Sequence, residues 1–209
     1  IPDGASREWV CHGCYATTGN YRFDNVQAAQ MIRLKWVRKA LREGTFVDDM
    51  VRAIDRYRRA PCLGSAFQNP AFFRLHDSGD FFSAEYARAW REVAERLPGM
   101  FFWAPTREWI FAAKLPSLQN APKNLTIRPS ALFVDERPPT VQGLSAGSAV
   151  MRHPPPPIWN CPAYRSDGKN CEDAGCRTCW TRPEVEVSYE PHGSIPKRTP
   201  SERTRRPRA

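Results

Sequence analysis

The sequence predicts an α/β protein built on a parallel sheet. Short apolar runs alternate with stretches of helical periodicity through the middle of the chain, and polar residues follow directly after these runs. Strand, turn, helix and strand is the order of a right-handed βαβ unit, in which the strands lie parallel. The 209 residues suffice for a core of useful size, and no apolar run is long enough to cross a membrane.

The chain begins with a loop and two predicted helices. Residues 26–43 carry an apolar stripe at helical spacing, and Gly44 ends that helix. Thr45 begins a second helix, with Asp48 three residues later in a box-like cap, and this helix ends before Pro61.

Strands and helices alternate in the following part of the chain. Ser83 caps a helix that Pro98 and Gly99 close, and Thr106 begins a short helix that ends near Pro116. Residues 131–134 extend the third strand or begin a fourth. The predicted strands cover residues 72–76, 100–104, 125–128 and 185–189.

Polar side chains follow the predicted strands at the point where each strand ends. The carboxyl ends of parallel strands share one face, where α/β proteins build their ligand sites, so we expect these side chains to converge. Histidine and two carboxylates at one strand end exceed what a helix cap requires. We therefore predict acid–base catalysis by His76, Asp77 and Asp80. The alternative is a turn in which Asp80 caps the next helix.

Three further residues at the strand ends are predicted to bind a substrate. Arg107 and Arg128 suit a carboxylate or phosphate group, and Ser130 lies beside Arg128 in the sequence. Alternatively, the two arginines only pair with Asp77 or Asp80.

The cysteines predict a metal centre. Seven cysteines are an odd number, and the chain shows no secretory signal, so clustered thiols favour metal over disulfides. The strongest group has nine, four and two intervening residues, a pattern that includes a spacing used by iron–sulfur proteins and that zinc also accepts. Its members are Cys161, Cys171, Cys176 and Cys179. A second pair, Cys11 and Cys14, forms a Cys-x-x-Cys motif that suits a metal or a redox dithiol.

Charge is concentrated at the end of the chain. The formal net charge is +9, and residues 197–209 supply +5 of it from six basic residues and Glu202. This segment predicts either an electrostatic anchor for nucleic acid or a solubilising end.

The proline run at 154–157 is predicted to be a stiff connector between two parts of the chain. The predicted domains are an α/β core (1–153), a cysteine-rich module packed on it (154–193) and a disordered basic tail (194–209).

Taken together, these motifs resemble the phage gene-product-88 family. The resemblance covers about residues 10–192 and rests on residues 11–16, 74–81, 106–107 and 161–180. It implies a phage-encoded protein in the bacterial cytoplasm, an iron–sulfur cluster and a fold similar to a partial or reduced parallel (βα) barrel of the radical-SAM type, with a C-terminal cysteine-rich cluster-binding module. Radical-SAM enzymes use a three-cysteine loop. Only Cys11 and Cys14 stand in that loop here, so S-adenosylmethionine binding would need a third ligand from elsewhere.

The predicted function is that of an iron–sulfur protein with a [4Fe–4S] cluster at the strand-end face. The C-terminal four cysteines are its predicted ligands, and Cys11 and Cys14 share it or bind a second cluster. An enzyme acting on a small molecule by radical-SAM-like or sulfur-transfer chemistry is the first expectation. The alternatives are an electron carrier and a zinc- or cluster-stabilised module that binds nucleic acid through its tail.

Overall fold

The computed structural model describes residues 8–59, 71–109, 118–164 and 170–191. In these ranges the helices are α1 (Asp24–Glu43), α2 (Phe46–Arg59), α3 (Ala84–Arg96) and the short α4 (Thr178–Thr181). The predicted first three helices are confirmed to within a few residues. Gly44 ends α1 in the left-handed region at φ 71°, and its N–H donates to carbonyls of the last turn. The Ser83 hydroxyl caps α3 by accepting the Tyr86 N–H at 3.1 Å.

The first sheet has three parallel strands in the order β1-β2-β3. These strands are β1 (Phe72–Arg74), β2 (Phe101–Thr106) and β3 (Leu125–Pro129). Helix α3 connects β1 to β2, and its buried face packs with the inner side chains of the sheet and with α2 in the main hydrophobic core. This is the βαβ unit that the alternation of strand and helix predicts.

The second sheet also has three parallel strands, in the order β4-β6-β5. Its strands are β4 (Ser148–Val150), β5 (Trp159–Asn160) and β6 (Val187–Tyr189). A single parallel bridge between Ser130 and Ser148 links the end of β3 to the start of β4, and the two hydroxyls are 2.9 Å apart. The pairing of β4 with β6 crosses the domain boundary predicted at residue 153, and that boundary stays a prediction.

The predicted partial barrel of the radical-SAM type is wrong. The described residues form two small three-stranded sheets and no closed barrel. A βα barrel places a helix after each strand, whereas the segment from β4 to β5 is a proline-rich loop. The described part of the segment from β5 to β6 contains only a 3₁₀ turn (Pro162–Tyr164) and the one-turn α4. The alternation that predicts the barrel therefore ends after β3.

Residues 131–134 do not form a regular strand. Phe133 makes an isolated antiparallel bridge with Trp9, and the Val10 N–H donates to the Leu132 carbonyl at 2.9 Å. Most of the helix predicted after Thr106 and the basic tail lie outside the described residues. No helix in the described ranges is long and apolar enough to span a membrane.

Candidate functional site

A cavity of about 470 Å³ lies between the two sheets, and every strand contributes to it at or just after its carboxyl end. β1, β2 and β3 supply His76, Thr106 and Ser130, and the second sheet supplies Cys161 and Tyr189 among others. Of the twelve residues predicted for the site, ten line this cavity. They are Cys11, Cys14, His76, Asp77, Asp80, Arg107, Ser130, Cys161, Cys171 and Cys179. The structure thus brings together side chains that lie as much as 168 positions apart in the sequence.

The C-terminal cysteines form one wall of the cavity. Cys161 directly follows β5, and its N–H donates to the Ser188 carbonyl at 2.9 Å. Cys171 and Cys176 close a tight turn in which the Cys176 N–H donates to the Cys171 carbonyl at 3.0 Å. Cys179 lies in α4, with its sulfur 3.2 Å from the Tyr189 hydroxyl. Cys176 is the member that does not line the cavity.

The four thiols are close enough to influence one another's protonation. Burial, together with the charges of Cys179, Cys171 and Cys176, raises the pKa of Cys161 to about 12, opposed by a backbone hydrogen bond from Ala163. Burial likewise raises the pKa of Cys179 to about 11, opposed by the Tyr189 hydrogen bond. Without a counter-charge these two buried sulfurs are therefore neutral thiols, and a bound metal would have to displace their protons.

Three arginines surround this wall and oppose the rise in thiol pKa. Arg177 and Arg74 lower the pKa of Cys171, while Arg128 lowers that of Cys179. Arg177 also donates to the carbonyls of Cys171 and Cys176 at 2.7 and 2.9 Å, which fixes the cysteine turn. The positive charge around the cysteines favours a ligand set that carries net negative charge.

The Cys-x-x-Cys pair lies at another part of the same cavity. Cys11 and Cys14 belong to a 3₁₀ turn in which the Cys14 N–H donates to the Cys11 carbonyl at 3.3 Å. Cys11 is exposed and Cys14 is partly buried. Arg152 fixes the chain just before this pair of cysteines, because its guanidinium forms an ion pair with Glu8 at 2.6 Å and also contacts Asp135.

Asp80 is fully committed to hydrogen bonds with the protein. Its Oδ1 accepts from the Thr106 hydroxyl and the Phe81 N–H, both at 2.7 Å, and its Oδ2 accepts from the Arg107 N–H at 2.6 Å. These bonds join the turn after β1 to the segment after β2. This arrangement is that of a positioning residue, and catalysis by Asp80 stays a prediction.

His76 has no such commitments. Its backbone is in the left-handed region at φ 58°, which is uncommon for a residue with a side chain. Both ring nitrogens are buried, and neither makes a hydrogen bond within the described part of the chain. Burial lowers the pKa of His76, while Asp80 and the nearby Pro105 carbonyl raise it. The ring packs edge-on against Phe81, with centroids 4.8 Å apart.

The remaining predicted residues differ in their contacts. Asp77 is exposed and accepts from the Tyr21 hydroxyl at 2.5 Å. Ser130 is buried and paired with Ser148. Arg107 lines the cavity with its buried Nε unpartnered.

Arg128 does not line the cavity and is fully buried. Its guanidinium donates to the carbonyls of Ala146 (2.7 Å), Val185 (2.5 Å) and Arg182 (3.1 Å). It therefore joins β3 to two loops of the second sheet. The expected ion pair with Asp77 or Asp80 is not found for Arg128 among the described residues.

Arg74 and Tyr189 also line the cavity, and neither was predicted from the sequence. Arg74 ends β1 and stacks on the Trp103 ring, with its guanidinium carbon 4.9 Å from the ring centroid. Arg74 lies two residues before His76 in the sequence, and this nearness to the predicted catalytic residues could have identified it. Tyr189 gave no such signal, because a tyrosine in a strand is usually a packing residue.

No group of three or more histidine, cysteine or acidic side chains in the described ranges is arranged to hold a metal ion. The C-terminal cysteine-rich cluster-binding module predicted from the sequence is therefore wrong as a preformed metal-binding group in the described ranges, where these cysteines form a convergence of thiols.

Comparison with known proteins identifies relatives of this chain. The sequence model described as "Gene product 88" matches residues 2–182. The "Gene 88 protein" of Mycobacterium phage L5 is 41% identical over 71 residues, which are 34% of this chain and 26% of that protein. The chain thus matches about a quarter of the length of this curated relative. No solved structure matches.

Proposed function

The chain belongs to the Gene product 88 family of phage proteins, and we propose that it is an iron–sulfur protein whose cysteine wall binds a [4Fe–4S] cluster. The observation that carries the proposal is the convergence of Cys161, Cys171 and Cys179 on one cavity, with Cys176 close enough to influence the pKa of Cys161. The proposed setting is the cytoplasm of the bacterial host.

The donor chemistry supports iron–sulfur ligation. Iron–sulfur clusters take cysteine thiolates as their usual protein ligands, and nearby cations stabilise the anionic thiolate set. Arg177 and Arg74 supply such charge to Cys171, and Arg128 supplies it to Cys179.

A cluster and a zinc ion require different spacings of their cysteine ligands. In a tetrahedral zinc site, bonds of about 2.3 Å bring the sulfurs within about 4 Å of one another. A cluster places one cysteine on each iron, so its ligands stand further apart. We propose the wider spacing of a cluster, and a bound zinc ion is the alternative that the metal analysis would reveal.

The cavity beside the cysteines supports an enzyme rather than a carrier. Its volume lies within the range of small-molecule sites, and polar side chains face it from the strand ends. A bound cluster would supply electrons there, or a Lewis acid if one iron lacked a thiolate. The chain's own contribution would be to hold a small molecule beside the cluster and exclude water. Acid–base catalysis by His76 remains part of this proposal.

The test is metal analysis of protein purified without oxygen. We expect brown protein with about four irons and four sulfides per chain. Cys171→Ser removes a half-buried cavity-lining thiol and should abolish most of the iron content. Thr181→Ser, which changes an exposed side chain on the same short helix as Cys179, is the control and should retain it. A colourless protein containing one zinc, or unchanged iron in Cys171→Ser, would overturn the proposal.

A second candidate function, nucleic-acid binding, is favoured by the solvent-facing side of α1. Lys35, Arg38, Lys39 and Arg42 are all exposed and recur at i, i+3, i+4 and i+7, which places them on one face of the helix. Such a stripe can contact phosphates but reads no sequence by itself. The basic tail predicted to anchor nucleic acid lies outside the described residues.

Duplex DNA titrations at several salt concentrations test this second candidate. Each phosphate contact contributes about 0.9 to the slope of log affinity against log salt. Replacing the four basic residues of α1 with glutamine should therefore lower the slope by about 3 to 4. Deletion of residues 194–209 measures the tail in the same way. Salt-independent binding, or none, would refute a nucleic-acid role.

A further inference from the structure

The cavity has an unpaired cationic group that the cysteine chemistry does not use. Arg107 lines the cavity, and its buried Nε has no hydrogen-bond partner among the residues that the structure describes. No carboxylate in the described ranges forms an ion pair with its guanidinium. A buried N–H of a charged group without an acceptor is costly, so such a group in a cavity is a strong indicator of a missing ligand atom.

His76 adds a second unsatisfied group to the same cavity. Both of its ring nitrogens are buried, and within the described ranges their nearest acceptor is the Pro105 carbonyl, which raises the pKa of the ring without satisfying both nitrogens. Its backbone is held at φ 58°. Strained backbone of this kind persists where the surrounding structure enforces it, and it is concentrated at ligand sites. One nitrogen of a neutral imidazole is a donor, and both are donors in the protonated form.

The nearest carboxylates do not neutralise these groups through side-chain ion pairs. Asp80 accepts the backbone N–H of Arg107 at 2.6 Å and the Thr106 hydroxyl at 2.7 Å. Arg74, which also lines the cavity, lies over the Trp103 ring. The cavity therefore presents positive charge and N–H donors in addition to the thiols.

We propose that Arg107 and His76 form a subsite for the carboxylate or phosphate group of a small molecule that occupies this cavity. This subsite rests on the proposed iron–sulfur function for the chemistry at the cysteine wall. The substrate class of the cavity would then be a small anion. The Arg107 guanidinium binds the oxyanion, and His76 donates a second hydrogen bond to it. Arg128, which the sequence placed beside Arg107 in this role, is excluded from the subsite by its burial among carbonyls.

Calorimetric titration of the anaerobically purified protein tests the subsite, with inorganic phosphate and succinate as separate probes. We expect saturable binding of at least one probe, which also identifies the anionic group. Arg107→Gln should weaken that binding at least tenfold, because it removes the charge while leaving the backbone N–H that bonds Asp80. His76→Asn should weaken the binding less than Arg107→Gln does, because it leaves the charge of Arg107 in place. Asparagine also tolerates the left-handed backbone at this position, so the variant should fold. Arg52→Gln is the control, because Arg52 is exposed and paired with Asp49 on α2.

Two results would overturn the subsite. One is the absence of saturable binding of either anion below about 50 mM. The other is equal binding by Arg107→Gln and the unaltered chain. Iron and sulfide are measured in the same samples, so the two proposals fail separately. Protein that binds the anion without iron refutes the cluster, and protein that holds iron but binds neither anion refutes the subsite.

Discussion

Replacement of Asp80 by alanine should destabilise the protein strongly even though this residue lies in the cavity. Three short hydrogen bonds end on its carboxylate, from the Thr106 hydroxyl and from the backbone N–H groups of Phe81 and Arg107. Hydrogen bonds to charged groups are worth about 1.5–3 kcal/mol each, and half-exposure reduces this to about 1 kcal/mol. We therefore expect Asp80→Ala to lower the free energy of unfolding by about 3 kcal/mol.

Urea unfolding followed by tryptophan fluorescence measures this loss. Asp80→Asn should lie between the two proteins, because the amide keeps one acceptor oxygen but loses the charge. Glu95→Ala is the control, since its exposed pair with Arg91 should contribute within about 0.5 kcal/mol. A loss below about 1 kcal/mol in Asp80→Ala would refute the positioning role.

Three further predictions concern protonation and packing. Burial lowers the pKa of His76, so the unfolded chain takes up the proton first and the protein should lose stability as the pH falls below about 6.5. The urea midpoint of His76→Asn should fall less between pH 7 and pH 5; an equal fall would contradict this. At pH 8, mass spectrometry of metal-free protein treated with iodoacetamide should show exposed Cys11 labelled far sooner than Cys161, whose pKa is about 12. Gly147→Ala should cost about 1–3 kcal/mol, because its Cβ would stand 2.5 Å from a carbonyl oxygen, whereas Gly99→Ala meets nothing closer than 3.7 Å; equal urea midpoints would refute this.

The sequence predicted the first sheet well because its signals are local. Residues 24–43 and 84–96 show clear helical periodicity, and Ser83 and Gly44 mark helix ends with their ordinary chemistry. The convergence of His76 with Arg107 followed from a general property of parallel strands, whose carboxyl ends share one face.

The second sheet could not be predicted in the same way. Its strands have only two or three residues, and β5 pairs with β6 across a long cysteine-containing segment. Such short strands carry no periodicity, and their pairing depends on contacts between distant segments. The resemblance to the family predicted a barrel for this part of the chain, and that prediction was wrong.

The roles of the individual arginines could not be predicted from the sequence either. Arg107 and Arg128 follow neighbouring strands in similar positions, yet one faces the cavity and the other is enclosed by carbonyls. Strand position fixes which end of the sheet a residue reaches. It does not fix whether a loop from another sheet closes over the side chain.

The serine bridge between the two sheets has a thermodynamic consequence. Ser130 and Ser148 join the end of β3 to the start of β4 beside the cavity, which the thiols line together with Arg74 and Arg107. Because this bridge brings both sheets to one cavity, iron and an anion bound there would be close neighbours. If bound iron alters anion affinity, linkage requires the anion to alter iron affinity by the same factor.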